Sequence, residues 1–150
     1  MTFDQKRPLG NTGLNVGPLG LASSYGAPAA AFEKAFERGC NYFYWGSRRR
    51  SGMREAIRHI CGRGQRDEMV LVIPSYPRSA ILMEAFFQKA LKTMGQDHAE
   101  VLVLGWYNKP PSKRILDRAV AMKEKGRVSF LALSGHNRRL FPELTQLGIF

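Results

Sequence analysis

Short apolar segments alternate with amphipathic segments along most of this 150-residue chain. The apolar segments are continuous, and several are rich in β-branched residues, which is typical of strands buried on both faces of a parallel sheet. They are Leu19–Ala22, Tyr42–Trp45, Met69–Ile73, Glu100–Leu104 and Val128–Leu133. The pattern therefore predicts five parallel strands.

Between these strands, apolar side chains recur three and four residues apart, which predicts amphipathic helices. The predicted helices are Pro28–Arg38, Gly52–Cys61, Ala80–Met94, Ser112–Lys125 and a shorter one over Leu140–Leu147. In the third helix, we expect the apolar stripe to include Leu82 and Phe86. Gly95 and Gly126 follow the third and fourth helices, at the position where a left-handed residue ends a helix.

Two short arms around Asn11-Thr12-Gly13 precede the first strand and predict a β-hairpin. The chain is therefore expected to form a single α/β domain over residues 1–150, with a hairpin and about five βα units. Five parallel strands form either an open doubly wound sheet or part of a barrel, and periodicity alone does not decide between them. The turn Gly20–Gly26 lacks the glycine pattern of Rossmann dinucleotide sites, and no P-loop is present.

Charge adds a constraint on binding partners. The formal net charge of +11 attracts phosphates, nucleic acids or anionic surfaces. Because the basic residues are spread over several predicted helices, with one dense run at Arg48-Arg49-Arg50, a solvated basic face is favoured over nucleic-acid binding.

No apolar run is long enough to cross a bilayer and no secretion signal is present, so we expect a cytoplasmic protein without a membrane partner. Cys40 and Cys61 lack metal-site spacing, so we expect free thiols and no metal.

Several short motifs, in order, resemble those of the aldo-keto reductases. Residues 6–16 are similar to the family opening R-x-L-G-x-T-G-L-x-V-S, 39–43 to the strand G-I-N-F-F, and 91–97 to S-L-x-x-L-G-x-D. Residues 125–128 with 131–137 resemble G-K-V-R-x-I-G-V-S-x-H-N. The resemblance covers nearly the whole chain and implies the N-terminal part of a (β/α)₈ TIM barrel. Its Ser-Gly-His-Asn ending most resembles a bacterial subgroup with a C-terminal iron–sulfur extension, which residues 1–150 do not contain.

The resemblance also locates the family's catalytic tetrad. In that tetrad a Tyr protonates the carbonyl oxygen while NADPH delivers hydride, a Lys and a His lower the pKa of the Tyr, and an Asp holds the Lys. The positions that match Asp, Tyr, Lys and His are Tyr44, Arg49, Pro74 and Gly105. No tetrad residue type is kept, so the resemblance implies a barrel without ordinary carbonyl reductase activity. The alternative is a non-enzymatic barrel that binds an anionic metabolite or a partner protein.

Cofactor and partner expectations also follow from the resemblance. In the family, loops after the seventh and eighth strands hold the cofactor phosphates, and those units would lie beyond Phe150. We therefore expect NADP binding only in a full-length barrel, and no cofactor for this chain. Ser134 and Asn137 partly match the family's nicotinamide contacts. Five strands leave two open parallel edges, which predicts a homo-oligomer or pairing with a complementary barrel fragment.

A barrel site forms at the C-terminal ends of the strands. The side chains expected there are polar, aromatic or basic, without a carboxylate. The candidate ligand residues are Ser23, Tyr25, Trp45, Arg48, Tyr76, Trp106, Tyr107 and His136. Such a set suits a planar anionic ligand. Each residue taken singly also fits barrel-top packing or a solvated loop. Tyr76 or Tyr107 beside His136 is the candidate replacement for the lost acid.

Overall fold

A computed structural model describes residues 5–46 and 51–150. The chain divides into two compact units. The first contains the residues up to Val72 together with Thr93–Gly95, and the second contains Ile73–Lys92 and Gln96–Phe150. The expectation of a single domain stays a prediction.

The first unit begins with a hairpin of β1 (Arg7–Pro8) and β2 (Asn15–Val16), paired antiparallel as the sequence predicts. Its other elements are β3 (Gly20–Ala22), a 3-10 turn (Ser23–Tyr25), α1 (Ala29–Glu37), β4 (Tyr42–Tyr44), α2 (Ser51–Gly62), a 3-10 turn (Arg66–Glu68) and the start of β5 (Val70–Ser75). The strands β3, β4 and β5 run parallel to one another, and Phe43 of β4 lies opposite both Leu21 and Leu71. Phe43 also meets Phe36 of α1 edge-on, with ring centroids 6.1 Å apart.

A buried asparagine joins the hairpin to the rest of the first unit. Asn41 donates from Nδ2 to the carbonyl oxygens of Asn15 and Glu68, both at 3.0 Å. Its Oδ1 accepts the Gly17 N–H at 2.9 Å. Because the amide group satisfies three backbone groups at once, it fixes the entry of the chain into β3.

The second unit contains the end of β5 and most of the remaining elements. These are α3 (Ala80–Met94), β6 (Ala99–Leu104), α4 (Lys113–Glu124), β7 (Val128–Leu133), a 3-10 turn (Arg138–Leu140) and α5 (Phe141–Thr145). β6 and β7 run parallel, with Leu102 opposite Leu131. The sheet order is β3-β4-β5-β6-β7, so β3 and β7 are the outer strands. The prediction of an α/β fold with a hairpin and about five βα units, part of a TIM barrel, is confirmed.

The predicted element bounds hold closely, with three differences. β5 continues to Ser75, through Pro74, and the last predicted helix is shorter and begins with a 3-10 turn. In α3 the predicted stripe was wrong in its first half, since Leu82 and Phe86 are 51% and 59% exposed while Met83 and Phe87 are buried. Its other predicted members, Ala90, Leu91 and Met94, are buried. The helix carries apolar residues at adjacent positions, so two stripes offset by one residue satisfy the same period.

The helix ends at Gly95 and Gly126 are as predicted, with φ of 73° and 68°. Those two values lie in the left-handed region that glycine adopts without strain. Across residues 5–46 and 51–150, no helix is both long and apolar enough to cross a membrane.

Candidate functional site

The loop that leaves β6 in the second unit contains a strained turn. The Gly105 N–H donates to the Ser75 carbonyl oxygen at 2.9 Å. Trp106 follows with φ of 58°, the one non-glycine residue with positive φ in the described part of the chain. Its N–H donates to Ser134 Oγ at 3.2 Å. A bulky residue rarely adopts this backbone conformation, which costs about 1–3 kcal/mol and persists only where neighbouring groups hold it. The Trp106 side chain is 63% exposed.

Arg78 holds the same turn from the β5 side. Its Nη1 donates to the carbonyl oxygens of Tyr76 and Gly105, both at 2.9 Å, and its Nη2 donates to that of Trp106 at 2.7 Å. The guanidinium carbon lies 3.8 Å from the centroid of the Tyr107 ring. No carboxylate pairs with Arg78 among the residues that the structure describes. Its positive charge is therefore balanced only by carbonyl dipoles and a ring face.

An aromatic pair lies at the ends of β5 and β6. The rings of Tyr76 and Trp106 have centroids 4.7 Å apart and planes inclined by 42°. The Tyr76 ring also occupies the space beside Gly105, where an added Cβ would lie 2.5 Å from Tyr76 Cε1 and closer still to Cδ1. Gly105 is the position that the sequence resemblance predicts to match the family's catalytic His. The space for that side chain is thus filled by a tyrosine from the preceding strand end.

The loop after β7 is bonded to the loop after β6. The Tyr107 N–H donates to the Ser134 carbonyl oxygen at 2.7 Å. Asn108 Oδ1 accepts the backbone N–H groups of His136 and Asn137, at 2.7 and 3.1 Å. A Cβ at Gly135 would overlap the Tyr107 carbonyl oxygen, so the approach of the two loops requires glycine there.

The two residues that partly match the family's nicotinamide contacts, Ser134 and Asn137, both make contacts between these loops. Ser134 Oγ already accepts the Trp106 N–H, and Asn137 Nδ2 donates to the Asn108 carbonyl oxygen at 3.4 Å. Both polar side chains therefore help to hold the loops after β6 and β7 together.

Among the predicted ligand residues, four belong to the second unit. Tyr76 and Trp106 form the aromatic pair, Tyr107 packs under Arg78, and His136 lies exposed on the adjoining loop. The His136 imidazole makes no hydrogen bond within the described residues, so the structure does not join it to either tyrosine as a substitute acid.

The other predicted ligand residues come from the first unit or fall outside the description. Ser23 is fully buried, and its Oγ has no hydrogen-bond partner in the described part of the chain. Tyr25 is 90% exposed. Trp45 is buried at 2% exposure, which is the environment of a packing residue. Arg48 lies outside the described residues.

The positions matched to the tetrad hold no acid–base set. Tyr44 and Pro74 are half-buried in β4 and β5, and Arg49 lies outside the described residues. Proline and glycine side chains have no titratable group, so Pro74 and Gly105 transfer no proton. Burial raises the pKa of the neighbouring Tyr42 hydroxyl, the opposite of what a general acid at neutral pH needs.

Other reactive chemistry is limited in the described residues. Neither Cys40 nor Cys61 forms a disulfide in the described part of the chain, and burial raises the pKa of the Cys40 thiol. No group of three or more His, Cys, Asp or Glu side chains within residues 5–46 and 51–150 is arranged to hold a metal ion.

The roles of Arg78, Asn108 and Gly135 were not predicted from the sequence. Each role depends on which backbone group of a neighbouring loop faces the residue, and the one-dimensional pattern does not carry that information. The only sequence signal was their position just after predicted strands.

No protein-family model matches the chain, and no curated protein matches it. Solved structures, however, share its fold. A protein from Pseudomonas aeruginosa assigned as an aldo-keto reductase aligns with a TM-score of 0.74 at 23% identity, over 89% of this chain and 61% of that one. An aldo-keto reductase from Klebsiella pneumoniae in complex with NADPH aligns with a TM-score of 0.72 at 20% identity, over 88% of this chain and 50% of that one. The aldose reductase from Schistosoma japonicum aligns with a TM-score of 0.76 at 16% identity, over 93% of this chain and 56% of that one.

These similarities show that the chain has the aldo-keto reductase fold. The chain spans between half and about three-fifths of the length of those solved structures. The implied partial TIM barrel is confirmed, while the link to the subgroup with an iron–sulfur extension stays a prediction.

Proposed function

We propose that this chain is an aldo-keto-reductase-type barrel portion that binds an anionic metabolite and does not itself reduce carbonyl groups. The observation that carries the proposal is the Tyr76 ring beside Gly105. It fills the space that a histidine side chain at that position would need.

Carbonyl reduction of the family type needs a proton donor whose pKa is lowered toward neutrality and which lies within hydrogen-bond reach of the substrate oxygen. At two matched positions, Pro74 and Gly105, the side chain can neither lower the pKa of such a donor nor orient a substrate. The His136 imidazole is not hydrogen-bonded to a tyrosine in the described part of the chain. These observations support loss of the family's acid chemistry.

Ligand binding is supported by the turn at Trp106. A tryptophan in a left-handed conformation that is also largely exposed contributes little to packing, and Arg78 and Ser134 hold it by hydrogen bonds. Backbone strain held by surrounding contacts is concentrated at binding and catalytic sites. The tilted Tyr76 ring and the Arg78 charge next to it suit a planar anion, and the net charge of +11 attracts one.

NADP binding is proposed only for a full-length barrel. The Klebsiella protein is described in complex with NADPH. In this chain, Ser134 and Asn137 are engaged between loops, which supports the absence of a cofactor from residues 1–150 alone.

The proposal is tested by mixing the chain with NADPH and aromatic and aliphatic aldehydes while following NADPH absorbance. The Klebsiella enzyme serves as the positive control. We expect no consumption above the protein-free rate. Consumption that scales with chain concentration and disappears in Tyr76→Phe or Tyr107→Phe would identify a substitute acid and refute the proposal.

The binding arm uses saturation-transfer NMR with a set of planar carboxylates and nucleotides. We expect signal from at least one anion and its loss in Trp106→Ala. Trp45 is not a usable comparison because it is a core residue, so Phe86→Ala, which removes a largely exposed aromatic ring from α3, is the matched control. Equal binding by the chain and Trp106→Ala would place the ligand elsewhere and contradict the proposal.

A further inference from the structure

The outward face of α3 in the second unit begins with an exposed apolar patch. Ile81, Leu82 and Phe86 are 72%, 51% and 59% exposed, and Ala85 is exposed between them. Residues three and four apart are neighbours on a helix surface, so these four side chains form one continuous strip, which we call the α3 patch. A helix on a protein surface is normally polar on its outer side. An apolar outer side therefore indicates that a partner covers it.

The α3 patch is not needed to anchor the helix. Met83, Phe87 and Leu91 lie on the other side of α3, and all three are buried. Single exposed apolar residues are common on protein surfaces, whereas a contiguous patch marks an interaction site. The α3 patch shares no residue with the anion site proposed above, so its assignment does not depend on the proposed function.

Positive charge follows the patch along the same face of the helix. Lys89 and Lys92 are exposed about one and two turns after Ala85. Lys92 makes no ion pair within the described residues. Glu84 is the only acidic residue of α3, and Arg118 of α4 pairs with it at 3.1 Å. The outward face is thus apolar in its first half and basic in its second, which complements a partner that is both apolar and anionic.

The charge and the composition of this face distinguish between the classes of partner. A second copy of the chain would bring the same lysines and a formal net charge of +11, which repel. A stable protein interface buries roughly 800 Å² on each partner, and lysine is depleted there. Helices that lie on membranes, in contrast, combine Leu and Phe side chains that enter the acyl boundary with lysines that attract anionic lipids.

We propose that the outward face of α3 binds an anionic membrane surface. The α3 patch enters the headgroup region, and Lys89 and Lys92 lie against the lipid phosphates. A helix that lies on a membrane needs no spanning segment. The sequence expectation of no membrane partner considered spanning segments, and it assigned Leu82 and Phe86 to the buried stripe. Their exposure is the observation that replaces it with this proposal.

The test is co-sedimentation of the full 150-residue chain with lipid vesicles. One set of vesicles contains phosphatidylcholine alone, and the other contains about one third phosphatidylserine. With phosphatidylserine we expect half-maximal binding at roughly 0.1 mM lipid, comparable to the affinity that one myristoyl chain provides. Binding to phosphatidylcholine alone should be at least about tenfold weaker. Raising the salt concentration from about 0.1 to 0.5 M should weaken binding to the anionic vesicles.

Matched variants separate the α3 patch from the basic surface as a whole. Leu82→Ala should weaken binding about 5- to 10-fold, whereas Leu147→Ala, which shortens a leucine of 49% exposure, should not. Phe86→Ala should weaken binding about tenfold, and Phe86→Trp should retain it because tryptophan favours the membrane interface. Lys92→Gln should weaken binding about fivefold, and Lys34→Gln on α1, which makes the same change of charge, should not.

Each variant is also unfolded in urea. The substituted side chains are exposed, so the midpoint should stay close to that of the parent. Weaker vesicle binding by Leu82→Ala and Phe86→Ala at an unchanged midpoint supports the proposal. Equal binding by Leu82→Ala and Leu147→Ala overturns it, because adsorption would then come from net charge alone.

The remaining outcomes also overturn the proposal, and each points to a different partner. Equal binding to both types of vesicle shows that anionic lipid is not recognised. No binding at about 1 mM lipid leaves another protein as the partner of the α3 patch. Self-association of the chain that Phe86→Ala abolishes assigns the patch to a second copy. Vesicle binding that is lost in Trp106→Ala and kept in Phe86→Ala places the contact at the loop after β6.

Discussion

Replacing Gly105 with alanine tests the packing of Tyr76 on which the proposed function depends. An added Cβ would lie 2.5 Å from Tyr76 Cε1 and 3.4 Å from the Ser75 carbonyl oxygen. Carbon atoms in contact are normally about 3.5–4.0 Å apart, so the ring must retreat by roughly 1 Å. Overpacking of this kind costs about 1–3 kcal/mol. Alanine recovers about 0.4–1 kcal/mol through the unfolded chain, so we expect a net loss of about 1–2 kcal/mol.

The measurement is urea and thermal unfolding of the chain and of Gly105→Ala. For a domain of this length, each kcal/mol lowers Tm by about 2–4 °C, so the expected change is roughly 2–8 °C. A double-mutant cycle with Tyr76→Ala isolates the contact. With the ring removed, Gly105→Ala should cost about 0 kcal/mol or stabilise slightly, which gives a coupling energy near 1–2 kcal/mol.

Gly62→Ala is the matched control, since an added Cβ there meets nothing within 4 Å. It should be neutral or slightly stabilising. The reasoning fails if Gly105→Ala is as harmless as Gly62→Ala. It also fails if Gly105→Ala costs the same with and without the Tyr76 ring, because the lost stability would then have another source.

Two further predictions concern the first unit. Asn41→Ala removes three hydrogen bonds worth about 1 kcal/mol each, so urea unfolding should show a loss of about 3 kcal/mol in the free energy of unfolding. The exposed Asn11→Ala should lose almost none. A loss below about 1 kcal/mol in Asn41→Ala would contradict the role assigned to Asn41. Hydrogen bonds from His59 and Arg63 lower the pKa of the Glu33 carboxyl from its ordinary value of 4.5. The stability that the Glu33 carboxylate gives the folded chain is therefore present above that value and is lost as pH falls through the lowered folded-state pKa. Glu33→Gln should therefore unfold at lower urea than the parent at neutral pH, and the difference should shrink as pH falls below 4.5; a pH-independent difference would refute this.

The order of elements could be predicted from the sequence because each strand and helix has its own local signal. Val128–Leu133 and Ala80–Met94 have the predicted bounds, since an apolar run and a 3.6-residue period ending at glycine need no tertiary information. The buried face of α3 was not predictable in the same way. Leu82 and Met83 both fit an apolar stripe, and only packing against the sheet selects Met83.

The candidate site was predictable only as a set of positions. Motif spacing located Gly105 and Pro74 at strand ends, and it identified Tyr76 and Trp106 as aromatic neighbours of those ends. It did not indicate that the Tyr76 ring would occupy the space of the side chain missing at Gly105. That relation arises because β5 and β6 end side by side, where Gly105 bonds to Ser75.

The hydrogen bonds of Arg78 explain how the proposed loss of the family's acid chemistry is compatible with ligand binding at these strand ends. In this chain the Nη atoms of the guanidinium donate three hydrogen bonds to loop carbonyl groups. No carboxylate neutralises its charge among the described residues. One side chain thus holds the strained Trp106 turn and supplies an electrostatic field that favours anions. Under the proposed function, a residue that meets both demands keeps a binding geometry at this loop without taking part in proton transfer. Ligand binding without proton transfer is therefore the function that we propose for these strand ends.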